Sequence, residues 1–114
     1  MRFKLIMTFV KPELTDMIIK TAKKNGATGE VVVQAKGSGL EPTKFLGISI
    51  ADKTDIVLMV IEEHIVKKVL NALEQDCKLQ EPGNGIALVM GIERVGGLNR
   101  QIEAIKEKLR EENL

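Results

Sequence analysis

From Phe3 to Val10 large apolar residues crowd the chain and stop at Lys11-Pro12, the pattern of a central strand that ends where proline removes a backbone donor. Over residues 14–24 the period changes. Leu14, Met17, Ile18, Thr21 and Ala22 recur at three and four, which predicts an amphipathic helix that begins near Glu13 or Thr15 and stops at Asn25-Gly26. A second strand over residues 29–35 holds three consecutive valines and runs into Lys36-Gly37-Ser38-Gly39. Residues 37–52, broken by Pro42 and Gly47, predict a loop, mobile over residues 40–53 when neither ligand nor partner is present. Residues 54–61 are too short and too β-branched for a helix and predict a third, buried strand. Residues 62–74 then place Ile65, Val66, Val69, Leu70 and Leu73 on one face of a second helix. A loop over 79–85 leads to a fourth strand at 86–95. Leu98, Ile102, Ile105 and Leu109 stand at near-heptad spacing among charges, so a C-terminal amphipathic helix is expected over 98–112.

The order β-α-β, loop, β-α-β, α amounts to two split β-α-β units: an α+β, ferredoxin-like fold with a four-stranded antiparallel sheet backed by two helices. One domain over residues 1–114, with its core at 3–95, accommodates all of it. In such a fold the helices cover one sheet face. Because these strands are apolar at nearly every position instead of alternating, both faces are expected to be buried, and the simplest cover is further copies of the chain.

Charge narrows the functional classes. Seventeen basic and sixteen acidic residues nearly cancel, no basic block stands out, and Phe3, Phe9 and Phe45 are the only aromatic residues. Neither a phosphate-tracking patch nor base-stacking rings are present, so nucleic-acid binding is disfavoured. The single Cys77 has no partner for an intrachain disulfide, and no apolar run approaches the ~20 residues of a membrane span, so a cytoplasmic protein without leader or anchor is expected. Cys77 next to Lys78 reads as a small packing residue, and His64 after Glu62-Glu63 as an exposed neighbour of a helix-end acid pair. The methionines, among them Met7, Met59 and Met90, read as core fillers. Asp16, Asp52 and Asp55 show no paired-carboxylate spacing, and no Ser-His-Asp set, Walker loop, dinucleotide fingerprint or metal-ligand set is visible. No catalytic or metal residues are assigned. The protein is not expected to be an enzyme.

Two glycine turns carry the remaining chemistry: Gly37-Ser38-Gly39 closes a strand, and Pro82-Gly83-Asn84-Gly85 opens one. Glycine reaches φ > 0 without a Cβ clash, so backbone N–H groups at such turns can converge on a phosphate or another small acceptor. These segments, with Phe9-Val10-Lys11-Pro12, residues 29–39, residues 82–89 and Glu93-Arg94-Val95, resemble the PII-type nitrogen regulators and the wider PII-like group. The likeness covers roughly residues 3 to 95 in matching order. It implies a homotrimeric ferredoxin-like signalling protein with an adenine nucleotide between subunits, held by the base of a long T-loop, a B-loop and the segment after the last strand. Carried over position by position, the effector-binding residues are Phe9, Gly37, Ser38, Gly39, Val60, Gly83, Asn84 and Gly85.

Departures from the family pattern matter as much. Its B-loop usually reads Gly-Asp-Gly-Lys, whereas this chain has Gly83-Asn84-Gly85-Ile86, with Glu81 where a cation is common. Its two phosphate-facing arginines correspond to the stretch Gly96-Gly97-Leu98-Asn99. A polyphosphate in a partly desolvated cleft needs several cations, and Lys36, Lys78 and Arg100 are those left to replace them. The effector is therefore expected to be AMP, ADP, ATP, a cyclic nucleotide or another small anion, with little selectivity for a γ-phosphate. Gly83 and Gly85 are expected to matter for binding more than for the fold. The resemblance further implies a regulated transporter or enzyme as partner, contacted through the loop and connected with nitrogen regulation. The alternatives are a structural or metal-tolerance-type trimer of the same fold with empty clefts, and a small enzyme.

Overall fold

The computed structural model describes residues 2–36, 43–45, 48–50 and 53–97, the two short inner segments by their backbone alone. Among these, β1 (Phe3–Val10), β2 (Val31–Lys36), β5 (Lys53–Glu62) and β6 (Gly85–Gly91) form a four-stranded antiparallel sheet in the spatial order β2-β5-β1-β6. Helices α1 (Thr15–Lys24) and α2 (Val66–Asp76) lie in the crossovers, so the core is the ferredoxin-like arrangement expected. Between β2 and β5 the chain adds a separate antiparallel pair, β3 (Thr43–Phe45) and β4 (Ile48–Ile50). The expected mobile loop at 40–53 thus contains a hairpin with Phe45 opposite Ile48; its other residues, 40–42, 46–47 and 51–52, lie outside those described. So does the helix expected over 98–112.

Two boundaries differ from the expectation, each for a physical reason. The second helix begins at Val66 rather than Glu62, because Glu62 is the last rung of the β1–β5 ladder, opposite Phe3, and residues 63–65 make a 3₁₀ turn. Its first turn therefore holds lysines, not the Glu62-Glu63 pair. The last strand ends at Gly91 rather than Val95: Gly91 pairs with Lys4, and β1 begins one residue earlier, so no partner remains for a longer strand.

Both helices end in the same way. After α1, the Gly26 N–H bonds the Lys23 carbonyl and the Ala27 N–H bonds the Ala22 carbonyl at 3.0 Å, with Gly26 at φ 111°. This is the Schellman stop that Asn25-Gly26 foretells. After α2, the Leu79 N–H bonds the Glu74 carbonyl at 3.2 Å, and the left-handed position falls on Lys78 at φ 50°. A side chain there is strained, since its Cβ crowds the following carbonyl.

The sheet divides the apolar residues cleanly. Ile6, Thr8, Val10, Val57, Met59 and Ile61 are buried beneath the helices, which contribute Ile18, Ala22, Val69 and Leu73. The Thr8 hydroxyl donates to the Val57 carbonyl at 3.3 Å, so this one polar core side chain of β1 is satisfied. On the opposite face the register builds apolar rows: Val31, Leu58, Met7 and Leu88 in one, Val33, Ile56, Phe9 and Ile86 in the next, Val60, Leu5 and Met90 in the third. No helix of the described residues covers this face. Val31 and Val60 there are 59% and 52% exposed, values that mark a surface the single chain does not bury.

Candidate functional site

Strand directions bring the end of β1, the end of β2, the start of β5 and the start of β6 to one end of the sheet. Of the eight residues read as functional in the sequence, Phe9, Gly83, Asn84 and Gly85 lie at or beside this end. Gly85 opens β6 opposite Val10, and the Asn84 carbonyl accepts the Lys11 N–H at 3.3 Å, tying the turn to the exit of β1. Phe9 lies on the open face, between Ile56 and Ile86. Val60 shares that face but sits four residues from Ile56 along β5, roughly 13 Å away, opposite Leu5. Within one chain, Phe9 and Val60 do not meet. Gly37, Ser38 and Gly39 lie outside the described residues.

The B-loop is stiffer than a glycine count suggests. Asn84 is 8% exposed, and its side-chain amide donates to the Lys78 carbonyl at 2.8 Å while its backbone N–H donates to the Glu81 carbonyl. The Asn84 side chain thus shapes the turn. Gly83 (φ 85°) and Gly85 (φ 139°) both occupy the left-handed half of conformational space. They differ in surroundings. A Cβ on Gly83 would meet nothing, whereas one on Gly85 would run into the Phe9 carbonyl and lie 2.9 Å from the Val10 Cα. Gly85 is accordingly a requirement of the β1–β6 contact, which corrects the expectation that it is only modestly important to the fold. A cavity of about 210 Å³ flanks this turn, lined by Glu74, Leu79, Gln80, Gly85, Ile86 and Ala87.

A larger cavity of about 410 Å³ opens where the 37–52 segment leaves the sheet, lined by Pro12, Gln34, Ala35, Lys36, Lys53, Thr54 and Asp55. Its cations are only half visible in the sequence. Lys36 and Lys53 stand directly opposite each other as the last rung of the β2–β5 ladder. Like charges in that position repel, by up to ~1 kcal/mol. Among the described residues neither lysine is in an ion pair, so an anion entering the cavity would relieve that repulsion. Two residues back along each strand, Gln34 faces Asp55. The Thr15 hydroxyl, at the start of α1, donates to the Asp55 Oδ2 at 2.6 Å.

Other reactive side chains do not join this site. Cys77 is buried against Thr21; burial pushes its thiol above the ordinary range, the Thr21 contact opposes that shift, and the Asp76 charge adds to it. A thiol so held is a poor nucleophile. His64 is exposed and lies 3.3 Å from the Glu62 carboxylate. Among the described residues no three His, Cys, Asp or Glu side chains gather as a metal site, and no helix is long and apolar enough to cross a membrane.

The family model for nitrogen regulatory protein P-II matches residues 3–102 of this chain. The chain belongs to the P-II family. P-II proteins are a signalling family, and the four-stranded antiparallel sheet with its two helices matches the family's ferredoxin-like fold. No curated protein matches the sequence. Among solved structures, a PII-like signalling protein from Thermus thermophilus shares 19% identity, with 80% of this chain and 86% of that one covered at a TM-score of 0.61. CPII from Thiomonas intermedia, bound to ADP, AMP and acetate, shares 16% identity with the same coverage of 80% and 86% and the same TM-score of 0.61. Its apo form gives 14%, 81%, 90% and 0.62. At these identities the likeness is one of fold.

Proposed function

We propose that this P-II family chain is a signal-transduction subunit that assembles as a homotrimer, binds a small anionic effector in clefts between subunits, and reports occupancy through the 37–52 segment to a transporter or enzyme. The observation that carries the reading is the facing pair Lys36 and Lys53 on a 410 Å³ cavity at the root of that segment. An adenine nucleotide is the foremost candidate, because the similarly folded Thiomonas intermedia protein is bound to ADP and AMP. The apolar rows on the open sheet face supply the driving force for assembly, at ~25 cal/mol per Å² of apolar surface removed from water. In the trimer Val60 of one subunit and the Phe9 end of another come to line one cleft on the open face, and Lys36 and Lys53, on the helix-covered face at the sheet's end, reach it around that edge. Gly37, Ser38, Gly39, Gly83, Asn84 and Gly85 then act through their turns, Asn84 by fixing B-loop shape. Filling the cleft orders the segment and changes its affinity for the partner.

A thermal-shift screen of the purified chain against AMP, ADP, ATP, cyclic AMP, divalent metals and inorganic anions tests this reading. Stabilisation by at least one adenine nucleotide, lost in Lys36→Ala/Lys53→Ala, is expected. Stabilisation by a metal alone would replace it with a metal-tolerance-type role, and silence from every nucleotide and anion would leave a structural trimer.

A further inference from the structure

We propose that the cavity at Lys36 and Lys53 selects an oxyanion that still carries an O–H, of which hydrogen phosphate is the simplest, over one that carries none, such as sulfate. Asp55 is the selecting residue and Thr15 its positioning residue. The inference rests on the anion-binding reading above and gives that site its chemical preference.

Two ammonium groups on one rung attract any oxyanion and do not distinguish among them. The discrimination comes from the third charged group on the cavity wall. Asp55 lies two residues from Lys53 on the same face of β5, about 7 Å along the strand, and lines the same space. A carboxylate beside an anion is normally unfavourable, because both are acceptors only. An oxyanion with a P–O–H turns that opposition into a charge-assisted hydrogen bond, donated to the Asp55 carboxylate while its other oxygens accept from the lysines. Sulfate has no hydrogen to offer near neutral pH and keeps the repulsion. The 2.6 Å bond from the Thr15 hydroxyl occupies one lone pair of Oδ2 and fixes the carboxylate plane, leaving acceptor capacity for a ligand. Because Thr15 belongs to α1 and Asp55 to β5, 40 residues apart, the carboxylate is held by the fold itself. Gln34, across the ladder from Asp55, adds a neutral donor and acceptor to the same wall.

Calorimetric titrations with inorganic phosphate, sulfate and AMP, at one ionic strength and pH 7, provide the test. Wild type is expected to bind phosphate at least about tenfold more tightly than sulfate, since a half-buried carboxylate that accepts from one ligand's O–H repels an analogue lacking that donor. In Asp55→Asn, whose amide donates to sulfate, the ratio should fall to about one, and in Thr15→Val it should fall part of the way while the melting temperature shows both variants folded. AMP binding without phosphate binding would overturn the selection while leaving the effector site standing, because a phosphate monoester is largely without an O–H at pH 7. Equal phosphate and sulfate affinity in wild type, or an unchanged ratio in a folded Asp55→Asn, overturns the selection while leaving the effector site standing. If neither oxyanion nor AMP binds wild type, the effector site itself falls. Should Asp55→Asn not fold, the wild-type ratio and Thr15→Val decide alone.

Discussion

The Asn84 side-chain amide donates to the Lys78 carbonyl at 2.8 Å, joining the B-loop to the residue that ends α2 in a left-handed turn. One contact therefore connects a helix stop, the shape of a glycine turn and the start of β6. Asn84→Ala removes one of two donors to that carbonyl, which keeps the Glu81 N–H at 3.1 Å, and should cost ~0.5–1.5 kcal/mol in urea unfolding. Lys78→Gly should do the reverse and stabilise by about 1 kcal/mol, because glycine takes φ 50° without strain. A destabilised Lys78→Gly would mean that the lysine side chain contributes something beyond its backbone.

The two B-loop glycines should separate fold from binding. Gly83→Ala meets only the conformational cost of a left-handed φ, ~1 kcal/mol, and should remain folded and assembled while weakening the effector-induced thermal shift. Gly85→Val drives a side chain into the backbone of Phe9 and Val10 and should lower the melting temperature steeply or prevent expression. Equal stability of the two variants would contradict the close approach of β6 to β1 at Gly85.

Much of this arrangement is legible in the sequence, and the part that is not has a physical reason. The apolar runs of β1 and β5 and the three-four spacing of α1 depend on local pattern alone, so their positions follow from it. The β3–β4 pair escapes because three residues per strand are too few for a period, and Pro42 and Gly47 read as interruptions. Glu62 and Glu63 suggest a helix start by their charge, but pairing of Glu62 with Phe3 keeps the chain extended. The Lys36–Lys53 rung and the Thr15–Asp55 bond depend on strand register and helix docking across long separations, which no window of sequence contains. Val60 and Phe9 both come from family likeness and do not meet within one chain; the proposed trimer is what would bring them to one cleft.

Met7 occupies the middle of the open apolar face, with Leu58 and Leu88 on either side. Wild type should sediment at three times the 12.6 kDa chain mass, and Met7→Glu should shift it toward the monomer by placing a charge in the contact. A wild-type chain that sediments as a monomer at micromolar concentration would remove the intersubunit cleft.

Cys77 gives stability a pH dependence of definite sign. Its folded thiol titrates above the unfolded one, so its contribution is complete at neutral pH and is lost as pH rises through the alkaline thiol range. Denaturant midpoints should fall above about pH 8.5 more steeply in wild type than in Cys77→Ala, and native Cys77 should resist thiol reagents until the chain unfolds. Rapid labelling under native conditions would show that the burial is not maintained.

Effector binding itself is tested most directly by calorimetric titration of the wild-type chain with AMP, ADP and ATP in parallel. By the family resemblance, Glu81, Ile86, Gly97 and Asn99 stand where phosphate-facing cations are expected, and each missing charge-assisted hydrogen bond would be worth ~1.5–3 kcal/mol. The expected result is saturable binding of AMP or ADP at one site per chain, with ATP no more than about tenfold tighter than either. Absence of binding by all three nucleotides would contradict the effector role, and a strong preference for ATP would contradict the assignment of the anion site to Lys36 and Lys53 alone.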